Sequence, residues 1–154
     1  ARRPGVKSAT GRSNVIGAGG QHCIVSLVER KSGYVLIGKL EARTLEQLNR
    51  ATLRIARRHA DQFDTITADN ESEFHGYAFI EQALELKFYF ATPHHSWERG
   101  TSENTNGLIR QYIPKGIDMA TLTQHDCSVI ANKLNTRPRK RLDYRTPREC
   151  FYAE

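Results

Sequence analysis

Apolar residues in this chain come in short blocks whose spacing shifts from strand-like to helix-like along its length. "CIVSLVERKSGYVLIGKL" holds two β-rich runs, Cys23 to Val28 and Tyr34 to Leu40, on either side of Lys31-Ser32-Gly33. Two such runs across a glycine-containing turn predict a hairpin. "NVIGAG" ahead of them is a further short apolar run, and Gly17, Gly19 and Gly20 supply a turn back. Three antiparallel strands are therefore expected. The next block changes period. In "LEQLNRATLRIARRHADQF", Leu45, Leu48, Ile55, Ala56 and Phe63 fall near one helical stripe and Arg50, Arg54, Arg57 and Arg58 lie mostly elsewhere. With Thr44 placed as N-cap, this predicts an amphipathic helix packed on the sheet.

"TITAD" then reads as a short buried strand. "YAFIEQALEL" reads as a helix with Phe79, Ile80, Ala83 and Leu84 facing inward, and "KFYFAT" as a strand ending before Pro93. Strand, helix, strand predicts a parallel βαβ unit. "NTNGLIRQYI" is helical and stops at Pro114-Lys115-Gly116. Thr123 with Asp126 opens a helix to about Asn135, and Thr146-Pro147 starts a last short one. The predicted fold is α/β: a mixed five-stranded sheet, three antiparallel strands then two parallel, flanked by helices.

A length of 154 residues suits one domain. Residues 1–13 read as a basic, flexible lead-in and 14–154 as the core. No apolar run approaches the length needed to span a bilayer, which argues against a membrane partner, and the charged start "ARRPGVKSATGRS" argues against a secretory signal. Cys23, Cys127 and Cys150 are odd in number and lack CxxC pairing, so three reduced thiols in a cytosol are expected.

Charge adds a candidate chemistry. Residues 1–58 carry twelve Lys or Arg against Glu29, Glu41 and Glu46, whereas residues 61–103 carry nine acids against Lys87 and Arg99. From Arg137 to Arg148 there are six cations and one acid, Asp143. An acidic middle between basic flanks suits a metal-dependent enzyme on nucleic acid, since cations bind phosphates and carboxylates hold metal; it equally suits solvated helix surfaces. Asp69 ends the strand "TITAD", where ligands gather in open α/β sheets. Glu103 lies near the start of the following helix, thirty-three residues intervening. Two converging carboxylates are a usual way to hold Mg²⁺ or Mn²⁺. By spacing alone they also fit a strand-end acid and a capping acid that never meet. His94 and His95 lack a third ligand at zinc spacing.

"ITADNESEF", "LKFYFATPHHSWERGTSENTNGLIRQYIPKG" and "LNTRPRKRLDYRTPRECF" together resemble the catalytic domain of transposases of the IS-thirty family of bacterial insertion sequences, from about Asn14 to Phe151. The resemblance implies the ribonuclease-H-like fold of DDE recombinases, in which two Asp and one Glu bind a pair of Mg²⁺ or Mn²⁺ ions. Asp69 and Glu103 match the second Asp and the Glu. The family's first Asp falls in "WEGD" ahead of "VIG"; here the residues ahead of Val15-Ile16-Gly17 are "TGRSN", and Ser13 stands in the Asp position. No acid occurs before Glu29. A weakened two-ion site and little strand transfer are expected. Glu71 is a second departure, standing where the family has Gly. The resemblance implies DNA contacts at Asn104 and Asn106, which alternatively cap their helix. Arg99, Arg110 and Lys115 are candidates for phosphate at the site mouth, and the run Arg137, Arg139, Lys140 and Arg141 is a candidate for phosphate binding. Implied partners are element-end and target DNA, further copies of the chain on that DNA, and an upstream helix-turn-helix region. Ser13 also suits a catalytically inactive DNA-binding or assembly module.

Overall fold

The computed structural model describes residues 10–17, 22–59, 63–68, 77–90 and 100–152, and at residues 10, 12–14, 77, 88, 90 and 100–104 the backbone alone. Strands β1 (Thr10–Gly17), β2 (Cys23–Glu29), β3 (Val35–Leu40), β4 (Thr65–Ala68) and β5 (Lys87–Phe90) form one sheet in the order β3-β2-β1-β4-β5. β2 is antiparallel to both β1 and β3, whereas β4 runs parallel to β1 and β5 parallel to β4. This is the mixed sheet that the period changes predict. β1 begins at Thr10, so residues 10–13, assigned from sequence to the lead-in, pair within the sheet.

Helices α1 (Leu45–Arg57), α2 (Tyr77–Leu84), α3 (Gly100–Arg110), α4 (Gln124–Asn135) and α5 (Pro147–Phe151) complete the fold. All seven residues of β2 are buried, as expected of a strand covered on both faces. Cys23, Val25 and Leu27 join Leu48, Ala51, Ile55, Ile66, Ile80 and Leu84 under α1 and α2. Ile24 and Val28 join Ile16, Ile109, Ile113, Cys127, Ile130 and Leu134 under α3 and α4. Fully burying one such side chain stabilises by about 1.5–3 kcal/mol. No cysteine is in a disulfide and all three are buried, with burial pushing the Cys127 thiol up to about 11. Among the described residues no helix is long and apolar enough to cross a membrane.

The helix starts follow from their caps. Gln47 N donates to Thr44 Oγ1 at 3.2 Å, and Thr123 with Asp126 and Thr146 with Glu149 form reciprocal capping boxes. Three packing expectations fail, the first at Leu45, which is 42% exposed at the start of α1. Phe63 is buried, but outside α1, which ends at Arg57. It fills the space over Gly11, where a Cβ would stand 2.8 Å from Leu27 Cδ1 and 3.0 Å from Phe63 Cε1. Of the described side chains of α2, Ile80 and Leu84, one turn apart, are the buried ones; Phe79 is 60% exposed and Ala83 is exposed, because an eight-residue helix on a sheet buries a narrow stripe. Gly33 turns the β2–β3 hairpin at φ +74°, a region costly for other residues.

Candidate active site

The parallel pairing of β1 and β4 sets the geometry. Their register runs from Thr10 opposite Thr65 to Ser13 opposite Ala68. Ala68 is the last residue of β4, so the chain leaves the sheet toward Asp69 beside position 13. Asp69 and Arg99 lie outside the described residues, as do Glu71, His94 and His95. The backbone at position 13 pairs with both neighbours, since Ser13 is also opposite Leu27 of β2. A ladder forms from main-chain groups, so it holds whether that residue is Asp or Ser.

α3 packs against β1 and β2. Its buried residues, Thr105 and Ile109, continue into Ile113 and form the stripe that meets Ile16 and Ile24. Glu103 and Asn104 belong to the first half of this helix, where an acid is favoured by the helix dipole. Position 103 is six residues, about 9 Å of helix rise, ahead of Ile109. Helical periodicity groups positions 103, 106, 107 and 110 on one face. On that face Asn106 is half-buried and its Oδ1 is buried with no hydrogen-bond partner among the described residues. Arg110 Nη1 donates to Ile113 O at 3.5 Å, and Lys115 is exposed just beyond the helix.

The run Arg137 to Arg141 lies elsewhere. Arg141 Nη1 donates to Lys31 O at 3.1 Å, fixing the run to the β2–β3 turn. That turn follows Glu29, which is opposite Gly11 near the start of β1. The run therefore sits toward the opposite end of the sheet from the exit of β4. Arg137 braces α3 by donating to Gln111 Oε1 at 3.1 Å and to the Tyr112 hydroxyl. Arg139 is half-buried and donates to Leu134 O at 3.4 Å; burial, with Arg137 and Arg141 nearby, holds its guanidinium below the ordinary arginine range. Lys140 and Arg141 remain exposed.

Sequence reasoning missed a second built region, the outer edge of β3. Val35 N donates to Asn135 Oδ1 and Asn135 Nδ2 donates to Val35 O, each at 2.8 Å. Lys39 N donates to Gln124 Oε1 at 2.9 Å and Gln124 Nε2 to Ile37 O at 3.0 Å. Arg54 Nη2 reaches Lys39 O at 3.2 Å. Two amides of α4 thus serve β3 as a neighbouring strand would. Cavities among the described residues lie here and along α1. One, of about 320 Å³, is bounded by β3, α1 and α4.

The donor set tests the metal expectation. Among the described residues no group of three His, Cys, Asp or Glu is suited to hold an ion. The buried acid Glu29 is engaged in its turn, accepting from Lys31 N at 2.8 Å and Ser32 N at 3.0 Å. At position 13, where strand pairing brings β1 to the exit of β4, the side chain is a neutral hydroxyl. A hydroxyl lacks the charge with which a carboxylate bridges two divalent ions, so position 13 supplies no acidic ligand.

Known proteins similar to the chain point one way. It is 47% identical over 137 residues to the transposase for insertion sequence element IS4351 of Bacteroides fragilis, covering 89% of this chain and 42% of that protein. It is 41% identical over 132 residues to the transposase for IS1086 of Cupriavidus metallidurans, covering 85% and 39%. It is 39% identical over 129 residues to transposase InsI for IS30A of Escherichia coli, covering 83% and 34%. The chain spans about two-fifths of the length of these relatives, 34–42%. No protein-family model matches it. Among solved structures it is similar to the catalytic core domain of BIV integrase, at TM-score 0.69 and 18% identity, covering 92% of each chain. It is likewise similar to the HTLV-2 integrase catalytic core domain in complex with magnesium, at TM-score 0.70 and 15% identity, covering 97% of this chain and 100% of that one. The fold is that of integrase catalytic cores, ribonuclease-H-like.

Proposed function

We propose that this chain, which over the segment it spans belongs with the IS-thirty type of insertion-sequence transposases, is the DNA-acting core of such an enzyme, with a metal centre one carboxylate short. The observation that carries the proposal is the register of β1 on β4, Ser13 opposite Ala68, in a chain 47% identical to a transposase. Intact relatives would hydrolyse a phosphodiester at an element end and join the freed 3′-hydroxyl to target DNA. Here Asp69 and Glu103 are left to hold Mg²⁺ or Mn²⁺ without the charge expected at position 13, and the chain binds metal weakly and joins little DNA. Asn104, Asn106, Arg99, Arg110 and Lys115 face the DNA near that edge. End recognition belongs to an upstream helix-turn-helix region, copies associate on DNA to bring two ends together, and the reaction takes place in the bacterial cytoplasm. Ser13 specifically favours a second reading, in which the core is retained for DNA binding or assembly without chemistry.

The test compares the chain with Ser13→Asp, reading Mn²⁺ affinity by titration and joining of a labelled element-end duplex to target DNA. Tighter Mn²⁺ binding and joining by the variant alone are expected. Joining by both refutes the role given to Ser13. Unchanged Mn²⁺ affinity and joining by neither favour the binding module.

A further inference from the structure

The cavity at the β3 edge carries a recognition chemistry separate from the carboxylates. Three arginines from two helices border it: Arg54 and the cap residue Arg58 at the end of α1, and Arg148 from α5. Their side-chain hydrogen-bond partners are neutral. Arg54 Nη2 donates to Gln124 Oε1 at 3.0 Å as well as to Lys39 O, and Arg148 Nη2 donates to Asn132 Oδ1 at 2.5 Å. The Arg58 side chain forms no hydrogen bond or ion pair among the described residues. A guanidinium offers five N–H donors, so each arginine keeps donors for a ligand. Among the described lining residues there is no carboxylate, and Ser128 adds a hydroxyl. The acids nearest in sequence to the lining residues of α4 and α5, Asp126 and Glu149, are engaged in the two capping boxes.

Like charges four residues apart on a helix repel, as at Arg54 and Arg58, and gathering a third cation around the same hollow adds to that repulsion. An anion that accepts from all three removes it. The row is also longer than one small ion needs. Arg50, Arg54 and Arg58 recur at intervals of about 6 Å along α1, and Arg50, Arg54, Arg57 and Arg58 border a second hollow that shares Arg54 and Arg58 with the first. Arg50 is paired with Glu46 at 2.6 Å; Arg57 and Arg58 have no acid among the described residues. Burial and the Arg58 charge hold the His59 imidazole below its usual range, consistent with a positive local field.

We propose that the Arg54–Arg58–Arg148 cavity and the arginine row of α1 bind the phosphodiester backbone of a nucleic acid. β3 is three strand spacings, about 14 Å, from β4, so this contact is distinct from the carboxylate edge. It does not depend on catalysis at that edge.

Duplex DNA binding measured by fluorescence anisotropy across a salt series tests the proposal. The double variant Arg58→Gln/Arg148→Gln is expected to reduce the slope of log affinity against log salt by about 2, one unit for each phosphate no longer neutralised, with an unchanged melting temperature. An unchanged slope in the folded variant overturns the proposal. Arg110→Gln/Lys115→Gln probes the α3 face separately, so a reduced slope there with an unchanged slope here distinguishes failure of one site from failure of the other. Should the double variant fail to fold, dicarbonyl modification of the unaltered chain, read by mass spectrometry, decides. DNA is expected to slow the reaction at Arg54, Arg58 and Arg148 relative to Arg145. Equal rates overturn the proposal, and protection by inorganic phosphate but not by DNA replaces the nucleic acid with a small phosphate ligand.

Discussion

The two edges of the sheet are finished differently. At the β3 edge, main-chain groups of Val35, Ile37 and Lys39 are met by Asn135, Gln124 and Arg54, and the whole region is held by α1, α4 and α5. Toward the other edge, β4 and β5 are four residues each, and the expected chemistry is divided among position 13, the exit of β4 and the first turns of α3. The largest fully buried side chains, including Ile24, Leu27, Ile66 and Leu134, include none of the predicted DNA residues whose side chains are described. Some of the DNA candidates also serve the scaffold: Arg137 braces α3 and Arg141 holds the β2–β3 turn. A chain with Ser13 keeps the backbone ladder of β1 because that ladder does not consult the side chain.

The sharpest way to break this contrast is at the aromatic cluster behind β3. Phe151 of α5 is buried and stacks on Tyr34 at 4.4 Å between centroids, with Phe63 at 5.7 Å. Phe151→Ala is expected to lower unfolding free energy by about 3–5 kcal/mol, whereas Ser13→Asp should change it by about 1 kcal/mol or less. Urea titration of the two variants checks this. Similar losses would show that the scaffold depends on the catalytic edge as much as on the β3 edge.

Next in size is the amide pairing itself. Asn135→Ala leaves both main-chain groups of Val35 without their partners, an expected loss of about 2–6 kcal/mol at roughly 1–3 kcal/mol per unsatisfied buried group. It also bares part of an edge strand, so sedimentation should reveal self-association absent from the unaltered chain. A stable monomer with unchanged unfolding would mean that water or another side chain replaces the amide at no cost.

These cases also show what was legible in the residues. The hairpin, α1 and α4 were readable because period and caps agree locally: Thr44, Thr123 with Asp126, and Thr146 with Glu149 each act within three residues. The Asn135 and Gln124 contacts were not, since their partners are 85–100 residues away and an amide on a helix face advertises nothing about them. The run Arg137–Arg141 was visible as charge, but its place depends on Lys31 O, 110 residues from Arg141. Phe63 and Phe79 were misplaced because a helical stripe says which way residues point while the helix lasts, and nothing of where it stops or how wide its contact is. Asp69 and Glu103 are candidates from motif spacing, which nominates a pair without giving their separation in space.

A smaller effect of opposite sign is expected at α3. Gly107 is exposed inside the helix, and a Cβ built on it meets nothing within 4 Å. Gly107→Ala should stabilise by about 1 kcal/mol through helix propensity alone. The fold gives no reason for glycine there, whereas close approach of a DNA backbone to the face shared with Glu103 and Arg110 would. Thermal unfolding and duplex affinity should then move oppositely, stability rising and affinity falling. If both rise, α3 does not meet DNA on this face.

The smallest effect sharpens the β3 side of the contrast and has a determined sign. The half-buried His59 ring packs edge-on to Tyr34 and Phe151 and lies 3.2 Å from the Tyr152 hydroxyl through Nδ1, with the cations Arg58 and Arg148 alongside. Burial first, then Arg58, depresses its pKa below the ordinary 6.5, while burial and Tyr34 push the Tyr152 phenol up to about 12. The phenol therefore stays protonated near neutrality and shares a hydrogen bond with Nδ1 of neutral His59, the imidazole tautomer setting which of the two donates. Protonating His59 places a charge in a half-buried position beside Arg58. The unfolded chain takes up this proton more readily, so stability rises with pH through the window between the depressed value and 6.5 and falls as pH drops through it. His59→Gln should flatten that part of a urea-midpoint profile measured from about pH 5 to 8. Adding inorganic phosphate should flatten it in the unaltered chain as well, because an anion accepting from Arg58 offsets the charge that holds the imidazole neutral. A profile indifferent to phosphate would leave His59 responding to burial alone.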